Sequence, residues 1–119
     1  MKNFRTLTVW RRSHRLVMDV YIATTEFPRE EMYGLTSQLR RSAVSIASNI
    51  AEGCGRHTDA DFARFLDIAA GSACELEYQL MLAADLQLLP VAVYGPLEAT
   101  TSEVKRMLTG LLKKLRADG

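Results

Sequence analysis

The sequence predicts an all-α protein, an antiparallel up-down-up-down four-helix bundle that forms a single domain over residues 1–119. Two observations favour this class. Apolar residues recur at spacings of three and four along nearly the whole chain and hardly ever alternate, which is the helical period. Three short breaks, at residues 28–32, 53–57 and 88–92, divide the chain into four segments. Because short links join antiparallel neighbours, we expect each helix to reverse the direction of the one before it.

The composition is that of an ordinary folded protein. Hydrophobic residues make up 48% and charged residues 24% of the 119 positions, which excludes intrinsic disorder as the default. Charged residues interrupt every apolar run, so we expect neither a secretory signal nor a membrane span. A cytoplasmic protein with two reduced cysteines is the resulting expectation. The net charge of +1 gives no overall signature of nucleic-acid binding.

The first helix is predicted from about Thr8 to Thr25. Phe27-Pro28 stops it, because a residue before proline avoids the α region. We expect Trp10 and Tyr21 to be core aromatics, with His14 packed between them. The predicted apolar stripe consists of Leu7, Trp10, His14, Val17 and Tyr21.

The second and third helices carry the most regular apolar stripes. Helix two is predicted from near Tyr33 to the break at Gly53, and helix three from the cap residue Thr58 to Pro90. An interior glycine costs helix stability, so Gly71 indicates a close helix approach. The stripe of helix two is Leu35, Leu39, Ala43, Ile46 and Ile50, and that of helix three is Phe62, Leu66, Ala69, Ala73, Leu76, Leu80 and Ala83.

The fourth helix is predicted from about Val93 to Arg116. Its apolar residues outnumber those that one core face needs, so Leu111, Leu112 and Leu115 suggest an exposed contact patch. The apolar residues of this helix are Leu97, Val104, Met107, Leu108, Leu111, Leu112 and Leu115.

Helices two and three each carry a second stripe of small and polar residues. On helix two this stripe lies about 200° around the axis from the apolar one. Small side chains allow close packing, and mixed polar groups allow hydrogen bonding. The stripes are either ordinary wet surface or a subunit interface, and we favour the interface. Its candidate residues are Arg41, Ser45, Ser48, Asn49, Glu52, Gly71, Cys74, Glu75 and Tyr78.

Charge is segregated along the chain. The net charge is +4 over residues 1–56, −7 over residues 57–104 and +4 over residues 105–119. The charges either neutralise one another, for instance Arg40 or Arg41 with Glu75, or the basic surfaces face an anionic partner. Phosphate contacts would give affinity without sequence choice. The candidate nucleic-acid contacts are Arg11, Arg12, Arg15, Arg40, Arg41, Arg56, Lys105, Arg106, Lys113, Lys114 and Arg116.

The sequence carries no pattern typical of catalysis. Neither histidine follows a glutamate by three residues, as a di-iron bundle requires, and no glycine-rich nucleotide loop is present. His57, Asp59 and Asp61 are interpreted as a loop and a helix start, and Gly53-Cys54-Gly55-Arg56 as a helix stop. We therefore expect no enzyme activity, no metal and no cofactor.

A long motif in helix two resembles a known family. Residues 33–56 read YGLxxQLRRxAxSIxxNIAEGxGR, and supporting blocks lie at Val9-Trp10, Phe27-Pro28 and residues 65–80. This pattern resembles the signature of the bacterial four-helix-bundle family named for proteins encoded in 23S ribosomal RNA intervening sequences. The resemblance implies a homopentameric ring and implies no catalytic role for any matched residue.

The same resemblance extends to the accessory variability protein of diversity-generating retroelements, a basic pentamer that binds nucleic acid and a reverse transcriptase. The expected function is therefore a non-catalytic oligomer that binds RNA or other nucleic acid through basic clusters. The alternative is a homo-oligomeric protein-interaction scaffold without nucleic-acid binding. The near-neutral charge, the acidic third helix and the polar stripes favour this alternative.

Overall fold

The chain folds into four α-helices. The computed structural model describes residues 2–118, with the side chains of residues 2–117. The described residues contain no strand, which confirms the all-α class, and they form an elongated body of 46 × 21 × 20 Å. The helices are α1 (Thr8–Thr24), α2 (Leu35–Cys54), α3 (Asp59–Asp85) and α4 (Val91–Asp118), with 3-10 turns at Phe4–Thr6 and Arg29–Glu31.

Hydrogen bonds close both ends of α3, at the breaks that the sequence predicts. The Thr58 hydroxyl accepts a hydrogen bond from the Asp61 amide at 3.1 Å and caps α3. At the other end of α3, the amide of Leu88 donates to the Ala83 carbonyl, with Gln87 at φ 64° between them. This is the left-handed closing turn that usually takes glycine. Pro90 then precedes the first residue of α4.

The core runs along the inner faces of all four helices. Consecutive helices pack against each other, and α1 also packs against α4. Every residue of the predicted stripes on α2 and α3 is buried, which confirms both stripes. The largest fully buried apolar side chains are Leu16, Val20, Leu39, Ile46, Ile50, Leu66, Leu76, Leu80, Val104 and Leu108.

The buried stripe of α1 differs from the predicted one. Its members are Val9, Ser13, Leu16, Val20 and Thr24. Two of these are polar, but their hydroxyls donate to carbonyls one turn earlier, Ser13 to Val9 at 2.7 Å and Thr24 to Val20 at 2.8 Å. A hydroxyl satisfied within its own helix can be buried at little cost. Because Ser13 and Thr24 are polar, an apolar pattern in the sequence does not include them in the buried stripe.

The two predicted core aromatics of α1 differ in their burial, since Trp10 packs against the core and Tyr21 does not. Tyr21 is 43% exposed, and the Arg40 guanidinium lies 4.6 Å from its ring centroid. Trp10 is half-buried and stacks on the exposed His14 at 5.0 Å. The prediction that Tyr21 is a core residue is wrong, since its side chain is exposed at the edge of the core.

Two further expectations about helix packing are wrong. Leu112 is buried and Leu111 and Leu115 are half-buried against the core, so these residues form no exposed contact patch. A Cβ added at Gly71 would meet no atom within 4 Å, whereas one added at Gly53 would lie 2.9 Å from Phe62 Cδ1. The close approach within the chain is thus at Gly53.

Candidate subunit and nucleic-acid interfaces

A polar seam joins α2 to α3. The buried Ser42 hydroxyl donates to Gln79 Oε1 at 2.8 Å, while Glu75 Oε1 lies farther away at 3.3 Å. One hydroxyl proton serves one acceptor, so the shorter contact is the hydrogen bond. One turn along, the hydroxyl oxygens of Ser45 and Ser72 lie 2.7 Å apart. Small side chains therefore let the two helices approach while their polar groups remain satisfied.

The seam opens into a surface groove of about 490 Å³. It brings together three of the predicted interface residues, Arg41 and Ser45 from α2 and Glu75 from α3. A fourth, Asn49, is half-buried and donates to the Ser45 carbonyl at 2.8 Å. The other five are exposed on the same two helices: Ser48, Glu52, Gly71, Cys74 and Tyr78. We call these nine residues the α2–α3 outer face.

Sequence reasoning missed three members of the seam, Ser42, Ser72 and Gln79. A usable signal was present, because Ser42 and Ser45 are three residues apart on α2, and Ser72 and Gln79 are seven apart on α3. Both spacings put the residues on one side of a helix. Pairing these two short polar rows requires the register between the helices, which the sequence does not display.

Five of the predicted nucleic-acid contacts take part in ion pairs with acidic residues. Most of these groups are exposed, and exposed pairs contribute only about 0–1 kcal/mol each, so the cations remain available for exchange. The hydrogen bond that Lys105 donates to the Glu77 carboxylate raises the pKa of Lys105 above its ordinary value. The pairs are Arg12–Glu103 at 2.6 Å, Arg15–Asp19 at 3.4 Å, Arg56–Glu52 at 3.0 Å, Arg56–Asp61 at 3.8 Å, Lys105–Glu77 at 2.8 Å, and Arg116–Asp67.

Four cations share one face of α4. Two adjoining depressions meet at Thr109, one containing Lys105 and Arg106 and the other Lys113 and Arg116. The four residues span about 17 Å of helix at 1.5 Å per residue. Arg106 and Lys113 are exposed and form no ion pair with any described side chain. We call these four residues the α4 basic face.

The remaining predicted contacts lie on other surfaces. Arg40 donates to the Thr24 hydroxyl at 2.9 Å on the α1 side of α2, so it does not pair with Glu75. Arg11 donates to the Arg5 carbonyl at 3.0 Å. Arg41 lies in the α2–α3 groove and forms no ion pair among the described side chains, and Lys114 is exposed beside Lys113. The eleven predicted cations are therefore distributed over several faces of one chain.

The family model described as 23S rRNA-intervening sequence protein matches residues 5–110. The chain belongs to this family. A solved structure from the S23 ribosomal protein family, that of a protein with unknown function from Bacteroides thetaiotaomicron VPI-5482, is similar to it. The two are 25% identical, the match covers 89% of this chain and 99% of the other, and the TM-score is 0.81. No curated protein matches this chain. The family resemblance read from residues 33–56 is confirmed.

Neither the family nor its solved member is described by a reaction. In the present chain, no group of three or more His, Cys, Asp or Glu side chains among the described residues could hold a metal ion. Burial raises the pKa of the Cys54 thiol, against a smaller opposing effect of Lys2, so its thiolate is disfavoured. Among the described helices, none is long and apolar enough to cross a bilayer.

Proposed function

We propose that this protein is a non-catalytic homo-oligomer that binds RNA or other nucleic acid through the α4 basic face. The observation that carries the proposal is the pair of exposed cations, Arg106 and Lys113, that have no acidic partner among the described side chains. They lie on one face with Lys105, whose ion pair with Glu77 is partly buried, and with Arg116, whose exposed ion pair with Asp67 is weak. A row of cations along one helix suits a phosphate backbone, which is bound by charge without base contacts.

We infer that the helices run up-down-up-down. The contacts between α3 and α4 support this course, because Lys105 pairs with Glu77 and the later residue Arg116 pairs with the earlier residue Asp67. The hydrogen bonds between α2 and α3 support it in the same way, since Ser42 reaches Gln79 while Ser45 reaches Ser72. A single domain over residues 1–119 and a cytoplasmic location stay predictions.

We further propose that the chain assembles into a homopentameric ring through the α2–α3 outer face. Exposed side chains at Tyr78 (57% exposed) and Cys74, beside the bare backbone of Gly71, leave a surface that a second chain could approach closely. Each ring would then display the α4 basic face five times. Repeated faces raise the apparent affinity for one long polyanion through multivalency.

Filter binding of a structured RNA to the assembled protein at two salt concentrations tests RNA binding. Four phosphate contacts per face predict that affinity falls roughly 50- to 150-fold between about 50 and 200 mM salt. No binding at the lower salt concentration would contradict the proposal, because phosphate contacts are strongest there.

The second candidate function is a protein-interaction scaffold without nucleic-acid binding. The ion pairs of five candidate cations favour it, since each pair places a carboxylate beside a cation that RNA would otherwise use. An intact oligomer that binds no RNA at low salt but retains a protein from a nuclease-treated lysate would favour this second function over the first.

A further inference from the structure

We propose that the cleft between the end of α1 and the start of α4 binds a short cationic amphipathic helix of a partner protein. This inference deepens the scaffold function and is independent of RNA binding. The cleft has a volume of about 520 Å³ and lies away from both surfaces described above. Its lining is mostly apolar and its two charged members are both acidic: Asp19, Ile22, Ala23, Glu26, Leu88, Pro90, Val93, Pro96, Leu97 and Thr100.

The cleft leaves apolar surface in water. Ile22 is 68% exposed and Val93 is 36% exposed among the lining residues. Single exposed apolar residues are common on proteins, but a contiguous group at a concave site marks a contact surface. An occupant that removes these side chains from water would gain binding free energy from the buried apolar area.

The polar groups of the cleft define the charge of the occupant. The Thr100 hydroxyl donates to the Pro96 carbonyl at 3.0 Å and is therefore already engaged. The carboxylates of Asp19 and Glu26 remain on the α1 rim, and the only described cation that pairs with Asp19 is the exposed Arg15 at 3.4 Å. The lining thus offers apolar contacts and two negative charges, which an occupant with an apolar face and basic flanks complements.

The spacing of the lining residues defines the shape of the occupant. At the end of α1 the lining includes Asp19, Ile22 and Ala23 on the helix and Glu26 in the turn after it, and on α4 it runs from Val93 to Thr100. The α4 stretch spans seven residue steps, which is about 10 Å or two turns of helix. An amphipathic helix laid in such a groove presents apolar anchors at i, i+3 or i+4, and i+7. Basic residues on the flanks of that helix would face the two rim carboxylates.

A designed peptide tests the inference on the full-length oligomer. The probe is a fluorescent helical peptide of about four turns, with leucines on one face and lysines on its flanks. Two matched peptides replace the leucines by serine or the lysines by glutamate, and fluorescence anisotropy measures each affinity. We expect the probe, and neither of the two matched peptides, to bind with a Kd below about 1 mM.

Protein variants locate the binding. Ile22→Ser removes an exposed anchor and Glu26→Lys reverses one rim charge, and each should weaken binding about tenfold. Glu30→Lys makes the same charge change at an exposed residue outside the cleft and should leave the affinity within about twofold of wild type. Equal losses of affinity from Glu26→Lys and Glu30→Lys would overturn the inference, because binding would then reflect general charge attraction. Unchanged binding of the serine peptide would also overturn it, because the apolar face would then contribute nothing.

Two more results separate this inference from the proposed function. Dissociation of the oligomer by Ile22→Ser in light scattering would overturn it, because the cleft would then be covered by a second copy of the chain. A protein partner captured equally well by wild type and Glu26→Lys would also overturn it while retaining the scaffold function. Unchanged RNA binding by Glu26→Lys is expected, since the variant leaves the α4 basic face intact.

Discussion

The ammonium of Lys105 in α4 lies 2.8 Å from the carboxylate of Glu77 in α3. The neighbouring Arg106 forms no ion pair with any described side chain. Two adjacent cations on one helix therefore differ in what they can offer to a polyanion. Lys105 must exchange a charge-assisted hydrogen bond for a phosphate, while Arg106 has no such bond to give up. Along the α4 basic face, the two inner cations, Arg106 and Lys113, are available, while the two outer cations, Lys105 and Arg116, are engaged in ion pairs.

Two glycine substitutions should shift stability in opposite directions. Gly110→Ala should stabilise the fold by about 0.5–1 kcal/mol, because this exposed helical glycine has open space at its Cβ position. Gly53→Ala should destabilise it by about 1–3 kcal/mol, since the new methyl group would overlap Phe62 and Phe65. Urea unfolding of both variants measures the difference, and a gain in stability at Gly53 would contradict the packing.

Two buried hydroxyls should respond differently to removal. Ser42→Ala should cost about 1–3 kcal/mol, because it leaves the buried Gln79 carbonyl without its donor. Thr36 Oγ1 is buried with no partner among the described residues, so Thr36→Val should be neutral or slightly stabilising. Thermal unfolding of the two variants compares them directly. Equal losses of stability would mean that the Ser42–Gln79 hydrogen bond makes no net contribution to the free energy of unfolding.

The assembly prediction is tested by a charged substitution on the α2–α3 outer face. Ser48→Arg should break the oligomer, because a long charged side chain would be buried unpaired between chains. Ala99→Arg makes a comparable change at an exposed position of α4 and should leave the oligomer intact. Light scattering reports both masses. A wild-type particle of 13.3 kDa would refute assembly itself, and an unaltered Ser48→Arg oligomer would exclude Ser48 from the interface.

Cysteine labelling tests the same interface without disturbing it. Cys74 is exposed on the α2–α3 outer face, whereas Cys54 is 1% exposed and burial raises its pKa. A thiol reagent at mildly alkaline pH should label Cys74 faster in Ser48→Arg than in wild type, because assembly covers it. Cys54 should react in both proteins only after unfolding, since its thiolate is disfavoured in the fold. Equal Cys74 rates would contradict burial in the oligomer.

The sequence predicted the α2 and α3 cores well because their stripes are purely apolar. It failed on α1 because Ser13 and Thr24 are buried with their hydroxyls bonded to their own helix, which no apolar pattern displays. It identified the cations but not their partners. Pairs such as Lys105 with Glu77 depend on the register between helices, and that register is set by core packing rather than by local spacing.

The salt dependence of RNA binding by an α4 variant tests the central claim most directly. Replacing both Arg106 and Lys113 by alanine should weaken binding and reduce the slope of log affinity against log salt by about 2 per face, one for each lost phosphate contact. The matched control replaces Arg40 and Arg11, which lie on other faces, and should keep the wild-type slope. An unchanged slope for Arg106→Ala/Lys113→Ala, or equal slopes for the two double variants, would contradict nucleic-acid binding through the α4 basic face.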